Sequence, residues 1–150
     1  MKAVIQRVGN ASVSVAGKKI AEIGQGLLIL LGVSENDTQD DILWLSKKIA
    51  NTRIFNDANG QMNKSLLDMD GDAIVVSQFT LQASVKKGNR PSYLKAAKPA
   101  VAKPLYIDFI KQLETDLSKK VQAGEFGADM KVSLLNDGPV TLLFDTENKI

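Results

Sequence analysis

The segment 136–141, Asn-Asp-Gly-Pro-Val-Thr, constrains the fold of this chain most strongly. Apolar side chains occupy every second position from 130 to 134 before it and from 140 to 144 after it. This period of two is typical of half-buried strands. Gly138 allows backbone dihedrals that other residues avoid, and Pro139 fixes its own φ and lacks an N–H. Taken alone, the segment predicts a tight turn between two strands.

The rest of the pattern predicts one α/β domain that spans residues 1–150. With 150 residues, 44% of them hydrophobic, the chain can bury one sizeable core. Short connections between strands favour a mostly antiparallel sheet, curved or barrel-like, with two main helices. Besides the two strands that flank the Gly-Pro pair, strands are predicted at 2–8, 11–16, 19–23, 26–33, 53–55 and 73–81.

Two stretches have the apolar spacing of helices. Thr38 is placed to cap the first, which has two acidic residues in its first turn. The second is expected to run from about residue 100 to residue 122, with Gly124 closing it. Pro104 fits only within a first turn, which moves the expected start toward that residue. Residues 61–72 are expected to form a loop.

Cysteine and histidine are both absent from the sequence. Their absence excludes disulfides, thiolate nucleophiles, Cys-ligated zinc and Ser-His-Asp triads. The acidic residues lack metal-ligand spacing and no glycine-rich phosphate loop occurs, so neither a metal nor a cofactor is expected. The sequence shows neither a long apolar run nor a signal peptide, so we expect a cytoplasmic protein without a membrane partner.

The segment 73–107 contains no acidic residue. Its basic side chains include Lys86, Lys87 and Arg90, which fall in a long loop predicted at 82–98. A basic stripe of this kind favours a polyanion such as RNA. A solvated basic surface explains the same pattern, and charge alone does not separate the two interpretations.

A second polar cluster, Ser-Gln-Phe-Thr at residues 77–80, lies toward the end of a predicted strand. Either cluster alone is explained by hydroxyls that bond their own backbone. Together, Ser-Gln-Phe-Thr-Leu and Asn-Asp-Gly-Pro-Val-Thr resemble the two signature motifs of the D-aminoacyl-tRNA deacylases. Tyr93, where that family usually has Phe, and Pro104 depart from its pattern. The resemblance covers nearly the whole chain, including residues 5–8, 11–13, 26–28, 30–33, 53–55, 87–92 and 126–130.

This resemblance implies an enzyme that hydrolyses the ester between a D-amino acid and the terminal adenosine of tRNA. Glycine mischarged on tRNA is implied as a further substrate, because it lacks the side chain by which L-residues are excluded. The implied partners are aminoacylated tRNA, rather than DNA, and a second copy of the chain. The two copies would form a homodimer with active sites at the interface. The Gly138–Pro139 bond is implied to be cis and inserted into the partner subunit's pocket.

A stiff cis Gly-Pro turn can hold the substrate's α-amino group and act as a wall that an L side chain strikes. Arg7 is a candidate support for this turn, since a guanidinium can hold several carbonyls at once. A surface arginine on a strand is the alternative interpretation. For Phe126 and Met130, packing in the core is as good an interpretation as a binding role. The resemblance places substrate binding at Asn136, Gly138, Pro139, Phe126 and Met130.

The catalytic candidates are Ser77, Gln78, Phe79 and Thr80. A nucleophilic Thr80 would need a base, and no histidine, lysine or carboxylate adjoins it in sequence. We therefore favour attack by water, with the backbone amides of Phe79 and Thr80 stabilising the oxyanion. The 2′-hydroxyl of the terminal ribose assists proton transfer, while Ser77 and Gln78 orient the backbone and the ribose.

Two other classes of function are compatible with the sequence. A non-catalytic, dimeric RNA-binding module would use the basic stripe and exposed aromatic residues without hydrolysing an ester. A structural dimer, in which both motifs are only turns, would have no affinity for RNA. In the deacylase interpretation, Lys86, Lys87 and Arg90 contact phosphates of the acceptor stem without reading sequence.

Overall fold

A computed structural model describes residues 1–149 of the chain. Within that range the chain forms a single α/β domain with eight strands, three α-helices and one 3-10 turn. The strands are β1 (Lys2–Val15), β2 (Lys18–Ile23), β3 (Gly26–Gly32), β4 (Phe55–Asn56), β5 (Met62–Lys64), β6 (Asp72–Ser77), β7 (Gln122–Ala123) and β8 (Met130–Asp145). The helices are α1 (Gln39–Asn51), α2 (Leu66–Met69) and α3 (Pro99–Leu117), and the 3-10 turn covers Phe79–Gln82.

One curved sheet has the order β2-β1-β3-β6-β7, and β8 pairs along the other side of β1. β1 runs antiparallel to β2, β3 and β8, whereas β6 is parallel to both β3 and β7. The first half of β1 pairs with β3 and its second half with β2, and irregular register near residues 7–9 marks the change. The prediction of a mostly antiparallel, curved sheet with two main helices is confirmed.

Two apolar clusters lie on opposite faces of β3 and β6. Leu27, Ile29 and Leu31 belong to the cluster that includes the buried faces of α1 and α3. Leu28 and Ile74 belong to the other cluster, with residues of β2 and of the second half of β1. Because both faces are covered, β3 and β6 have continuous apolar sequences.

α3 differs from its predicted bounds at both ends. It begins at Pro99, so Pro104 lies inside the helix rather than in its first turn. It ends at Leu117 because Ser118 adopts a left-handed conformation (φ 54°) and caps the last turn. Gly124 therefore does not close the helix. By contrast, α1 follows Thr38 as predicted, and the Thr38 N–H donates to the Asp41 carboxylate at 2.8 Å.

Five further predictions of local structure were wrong. The two strands predicted at 2–8 and 11–16 form the single strand β1. Residues 61–72 are structured, since β5 pairs with β4 and Ser65 caps α2 through a 3.1 Å bond from the Asp68 N–H. The short strand predicted at 53–55 is shifted to Phe55–Asn56. The strand predicted to reach residue 81 stops at Ser77, where the chain turns into the 3-10 turn. The two strands predicted around the Gly-Pro pair form the single strand β8.

Candidate active site

A cavity of about 520 Å³ opens at the carboxyl ends of β3 and β6. In sheets with parallel strands, this end is where ligands are usually held, and the volume lies in the range of small-molecule sites. Its lining is mostly apolar. Predicted site residues from two separate segments meet there, namely Ser77, Gln78 and Phe79 with Phe126 and Met130.

The motif 77–80 forms the turn by which the chain leaves β6. The Gln78 N–H donates to the Leu31 carbonyl at 2.7 Å, which extends the pairing of β3 with β6. The first bond of the 3-10 turn then runs from the Leu81 N–H to the Gln78 carbonyl at 3.2 Å. The backbone amides of Phe79 and Thr80 precede that bond. They lie at the N-terminal end of the 3-10 turn, where N–H groups have no acceptor within the turn.

Gly32 lets this turn pack directly on β3. A Cβ at position 32 would lie 2.8 Å from the Gln78 carbonyl oxygen and 2.9 Å from the Cβ of Leu81, closer than such atoms pack. The buried Gln82 side chain adds a 2.9 Å hydrogen bond from its Nε2 to the Gly32 carbonyl. The position of the turn is therefore set by close contact with the backbone of β3.

The hydroxyl of Thr80 accepts a hydrogen bond from Nε2 of Gln78. A carboxamide NH₂ donates hydrogen bonds and cannot take up a proton at neutral pH. Within residues 1–149 this amide is the hydrogen-bond partner of the hydroxyl, and Thr80 does not line the cavity. The geometry therefore supplies no general base to activate Thr80.

Tyr106 of α3 is a cavity residue to which the sequence analysis gave no role. Its hydroxyl donates to the Val75 carbonyl at 3.0 Å, and burial raises the pKa of Tyr106 to about 12, so the hydroxyl stays protonated. Phe126 packs against its ring, with centroids 5.6 Å apart. The sequence did contain a signal for Tyr106, namely a tyrosine on the apolar face of a helix. A tyrosine hydroxyl that is buried there needs a hydrogen-bond partner.

The Gly-Pro motif forms a bulge in β8. Between two successive pairs of the β1–β8 ladder, β1 has one residue, Arg7, where β8 has four, 137–140. The surplus residues leave the sheet, and Asp137, Gly138 and Pro139 are exposed. The Gly138–Pro139 peptide bond is cis, as the family resemblance implies. The turn therefore projects from the sheet into solvent.

Arg7 holds the inner side of this turn. Its side chain is buried, with Nε donating to the Asp137 carbonyl at 2.9 Å and Nη1 donating to the Ile54 carbonyl at 2.6 Å. Gly138 has a φ of +128°, and a Cβ there would lie 2.8 Å from Nη2 of Arg7. The arginine thus ties the turn to the segment that follows α1, and position 138 requires glycine.

Asn136 bridges the base of the same turn. Its Oδ1 accepts the Val140 N–H at 3.1 Å, and its Nδ2 donates to the Thr141 hydroxyl at 3.0 Å. Both functional groups of the amide therefore bond within the chain. Asn136 is placed to hold the turn in shape rather than to line the cavity.

The two motifs do not meet within one chain. Arg7, which contacts the Gly-Pro turn, pairs with Leu27 of β3, whereas Ser77 pairs with Leu31 of the same strand. This spacing of four residues corresponds to about 13 Å along the strand. The predicted site residues that lie outside the cavity are Arg7, Thr80, Asn136, Gly138, Pro139 and the three basic ones.

Lys86, Lys87 and Arg90 lie at the exposed end of the loop between the 3-10 turn and α3, and we call them the basic tip. Ser84 and Ser92 close the base of this loop with two backbone hydrogen bonds of 2.8 and 2.9 Å. In the part of the chain that the structure describes, no residue of the basic tip forms a salt bridge. Their charges therefore face solvent.

Acidic side chains are dispersed over the molecule. Across residues 1–149, no three of them gather into a group that could hold a metal ion. Over the same range, no helix combines the length and the apolar character needed to cross a membrane. Metal independence of the reaction stays a prediction that a chelator tests directly.

Two solved structures share this fold. A c-Myc DNA unwinding element binding protein is 42% identical, with a TM-score of 0.92 over 97% of this chain and 99% of that one. A protein described as a probable eukaryotic D-amino acid tRNA deacylase has a TM-score of 0.86 over 95% of this chain and 97% of that one. Its identity of 17% limits this second likeness to the fold.

Sequence comparison is more specific. D-aminoacyl-tRNA deacylases of Flavobacterium psychrophilum and Bacteroides fragilis are 63% and 59% identical to this chain over 149 residues, which is 99% of each chain. The family model described as D-Tyr-tRNA(Tyr) deacylase matches residues 4–145, a range that contains both motifs. The chain therefore belongs to the family of D-Tyr-tRNA(Tyr) deacylases, which are hydrolases acting on ester bonds.

Proposed function

We propose that this chain hydrolyses the ester bond of D-aminoacyl-tRNA in the cytoplasm and releases the D-amino acid and the tRNA. The observation that carries the proposal is the cavity at the end of β6, which Ser77, Gln78 and Phe79 line. Its volume of about 520 Å³ suits the aminoacylated terminal nucleoside rather than a longer piece of RNA. The names of the full-length relatives support the same substrate class.

In the proposed mechanism, water attacks the ester carbonyl. The amides of Phe79 and Thr80 stabilise the oxyanion, because they precede the first bond of the 3-10 turn and Gly32 keeps that turn in place. The 2′-hydroxyl of the terminal ribose assists proton transfer, which supplies a group that a histidine-free chain lacks. Ser77 and Gln78 orient the backbone and the ribose.

A second copy of the chain completes the site in this proposal. The Gly138–Pro139 turn projects into solvent, and about 13 Å of strand separates it from the cavity of its own chain. Arg7 and Asn136 hold the turn from its inner side, which leaves the outer side available to a neighbouring molecule. A homodimer would place each turn in the partner subunit's cavity.

Chiral selection follows from that arrangement. Backbone carbonyls of the turn would hold the substrate's α-ammonium group, so the α-carbon could not rotate to exchange its substituents. The side chain of an L-amino acid would then collide with the turn, whereas a D side chain would point away. Glycine, which has no side chain to collide, would be hydrolysed as well.

The remaining predicted residues contact the RNA. Phe126 and Met130 line the cavity and would pack against the terminal adenosine. The basic tip would contact phosphates of the acceptor stem without reading sequence. An RNA substrate is favoured over DNA, because the proposed proton transfer uses a 2′-hydroxyl.

The test compares D-tyrosyl-tRNA, L-tyrosyl-tRNA and glycyl-tRNA as substrates of the purified protein, with EDTA present. We expect release of D-tyrosine and glycine while L-tyrosyl-tRNA persists. Equal release of both tyrosine enantiomers would contradict the Gly-Pro wall but not the esterase activity. A requirement for added metal would contradict the mechanism.

A dimeric RNA-binding module without catalysis is the second candidate. The observation that favours it is the exposed basic tip on the same loop as the exposed Tyr93, which lies beside Phe79. Retained binding of tRNA without release of any amino acid would support this candidate. A DNA duplex of the same length, used as a competitor, reports whether the affinity extends to DNA.

A further inference from the structure

Two exposed aromatic side chains stand together at the mouth of the cavity. Phe79 lines the cavity yet is 57% exposed, and Tyr93 beside it is 40% exposed. Their rings meet edge to face, with centroids 5.1 Å apart and an interplanar angle of 66°. Core packing explains neither ring, because each leaves a large part of its surface in solvent.

Backbone anchors on both sides fix the position of Tyr93. Its preceding neighbour, Ser92, exchanges two backbone hydrogen bonds with Ser84. On the other side, the Tyr93 carbonyl accepts the Ala96 N–H at 3.0 Å, and Ala97 donates to the Val33 carbonyl of the segment after β3 at 3.0 Å. The backbone that carries the ring is therefore held on both sides before any ligand binds, which lowers the entropy cost of binding.

The surroundings of the pair favour a nucleic acid. The pair adjoins the cavity on one side, through Phe79, and shares its loop with the basic tip through Tyr93. No acidic residue occurs anywhere in the segment 73–107. Exposed aromatic rings among basic side chains are the combination that binds single-stranded nucleic acids, since bases stack on the rings while phosphates meet the cations.

We infer that Phe79 and Tyr93 form a stacking site for the base that precedes the terminal adenosine of tRNA, an inference that rests on the proposed function. The terminal nucleoside occupies the cavity, so the chain of the RNA leaves it past Phe79, and the next base reaches Tyr93. Phosphates farther along the strand then lie toward the basic tip. Because every base has a stacking face, the contact adds affinity without regard to the identity of this base.

Two small substrates distinguish the contribution of this subsite from that of the cavity. One is 3′-O-D-tyrosyl-adenosine, which lacks the preceding nucleotide, and the other is the same ester on the dinucleotide cytidylyl-adenosine. We expect kcat/KM for the dinucleotide to exceed that for the mononucleoside by about tenfold in the unaltered protein, the size of one base stack. In Tyr93→Ala this ratio should fall close to one.

Two variants serve as controls for that ratio. Tyr93→Phe keeps the ring and should preserve the ratio, as should a dinucleotide with uridine in place of cytidine. Leu94→Ala removes the adjacent side chain, which is 86% exposed, and should also leave the ratio unchanged. A ratio near one in the unaltered protein, or an equal fall in Leu94→Ala and Tyr93→Ala, would overturn the inference while the proposed function stands.

Failure of the proposed function would be recognised separately, because neither ester would then be hydrolysed. In that event, calorimetry measures the affinities for unesterified cytidylyl-adenosine and for adenosine alone. The ratio of these affinities is then compared between the unaltered protein and Tyr93→Ala. Sedimentation of both proteins tests the competing occupant, a second copy of the chain. Dissociation of a dimer by Tyr93→Ala, with the ratio unchanged, would assign the ring to a subunit contact instead.

Discussion

Arg7 illustrates at the residue scale how a charged side chain is accommodated on the buried face of a strand. On a strand, every second side chain lies on the same face of the sheet. The buried face of β1 therefore includes Ala3, Ile5 and Arg7, and the shift of the β1–β8 register at this point goes with the burial of Val8 as well. The guanidinium then meets two carbonyl oxygens, from Asp137 and Ile54, that it bonds directly.

Replacing Arg7 by lysine should lower the free energy of unfolding. An ammonium group cannot span the two carbonyl oxygens that the planar guanidinium reaches, so at least one of them loses its partner. A buried carbonyl left without a hydrogen bond costs about 1–3 kcal/mol. Urea unfolding of Arg7→Lys measures this loss.

Arg53→Lys provides the matched control, since Arg53 is exposed. Its unfolding midpoint should equal that of the unaltered protein, because exposed substitutions of this kind change stability by less than about 0.5 kcal/mol. If Arg7→Lys unfolds at the same urea concentration as Arg53→Lys, the two carbonyl contacts do not hold the turn.

Thr80→Val should retain most of the esterase activity. Valine keeps the shape and the backbone amide of Thr80 and removes only the hydroxyl, whose partner is the Gln78 amide. Loss of a covalent nucleophile, by contrast, costs on the order of 10⁶-fold in kcat in a serine hydrolase. Steady-state hydrolysis of D-tyrosyl-tRNA distinguishes the two, and Thr115→Val, on the exposed side of α3, controls for the substitution itself.

Among the elements, α3 contains an internal proline that weakens its hydrogen bonding. Pro104 lies inside the helix, where it cannot donate to the carbonyl four residues earlier, and its side chain is exposed. Pro104→Ala restores that donor, although the unfolded chain regains some freedom. We expect a net gain in stability of about 1 kcal/mol, measured as a higher midpoint of thermal unfolding.

Pro99→Ala tests whether position, rather than proline removal itself, produces that gain. Pro99 occupies the first turn of α3, where its missing N–H has no acceptor within the helix. The substitution should therefore leave the thermal midpoint unchanged or lower it slightly. Equal stabilisation by both substitutions would show that Pro104 does not impair the helix.

Elements that bury one or both faces were predictable because burial leaves a pattern of apolar residues in the sequence. The continuous apolar sequence of β3, for example, reflects the cover on both of its faces. α2 was missed because four residues are too few to show a helical period. The end of α3 was missed because Ser118, rather than a glycine, takes the left-handed cap position.

The candidate site was predictable only in part, for a similar reason. The motif 77–80 and the Gly-Pro turn are local patterns, so their residues could be named from the sequence. Their separation along β3 depends on strand register, which no local pattern states. Tyr106 reaches the cavity from α3, and only the packing of α3 on the sheet brings it there.

For the molecule as a whole, the proposed exchange of turns between two copies predicts complementation. Gly32→Ala should displace the 3-10 turn, and Gly138→Ala should distort the Gly-Pro turn, so each protein alone loses most of its activity. A mixed dimer contains one cavity and one turn that are both unaltered. Mixing the two proteins in equal amounts should recover about a quarter of normal activity, since half of the dimers are mixed and each has one intact site.

The control places both substitutions in the same chain and mixes it with the unaltered protein. Its mixed dimers contain no site in which cavity and turn are both intact, so activity should fall to about a quarter, from unaltered dimers alone. Native mass spectrometry confirms that mixed dimers form. Mixed dimers without recovered activity in the first experiment would exclude a site shared between subunits.

In the proposed homodimer, β8 would take part in two such sites at once. Met130, at its start, lines the cavity of its own chain, and Gly138, eight positions later, would enter the cavity of the neighbour. One inserted residue between them would move the turn by about 3.3 Å and reverse the face that each later side chain presents. Over generations, insertions and deletions in this stretch should be eliminated more strictly than substitutions, so its length should be inherited more faithfully than its composition.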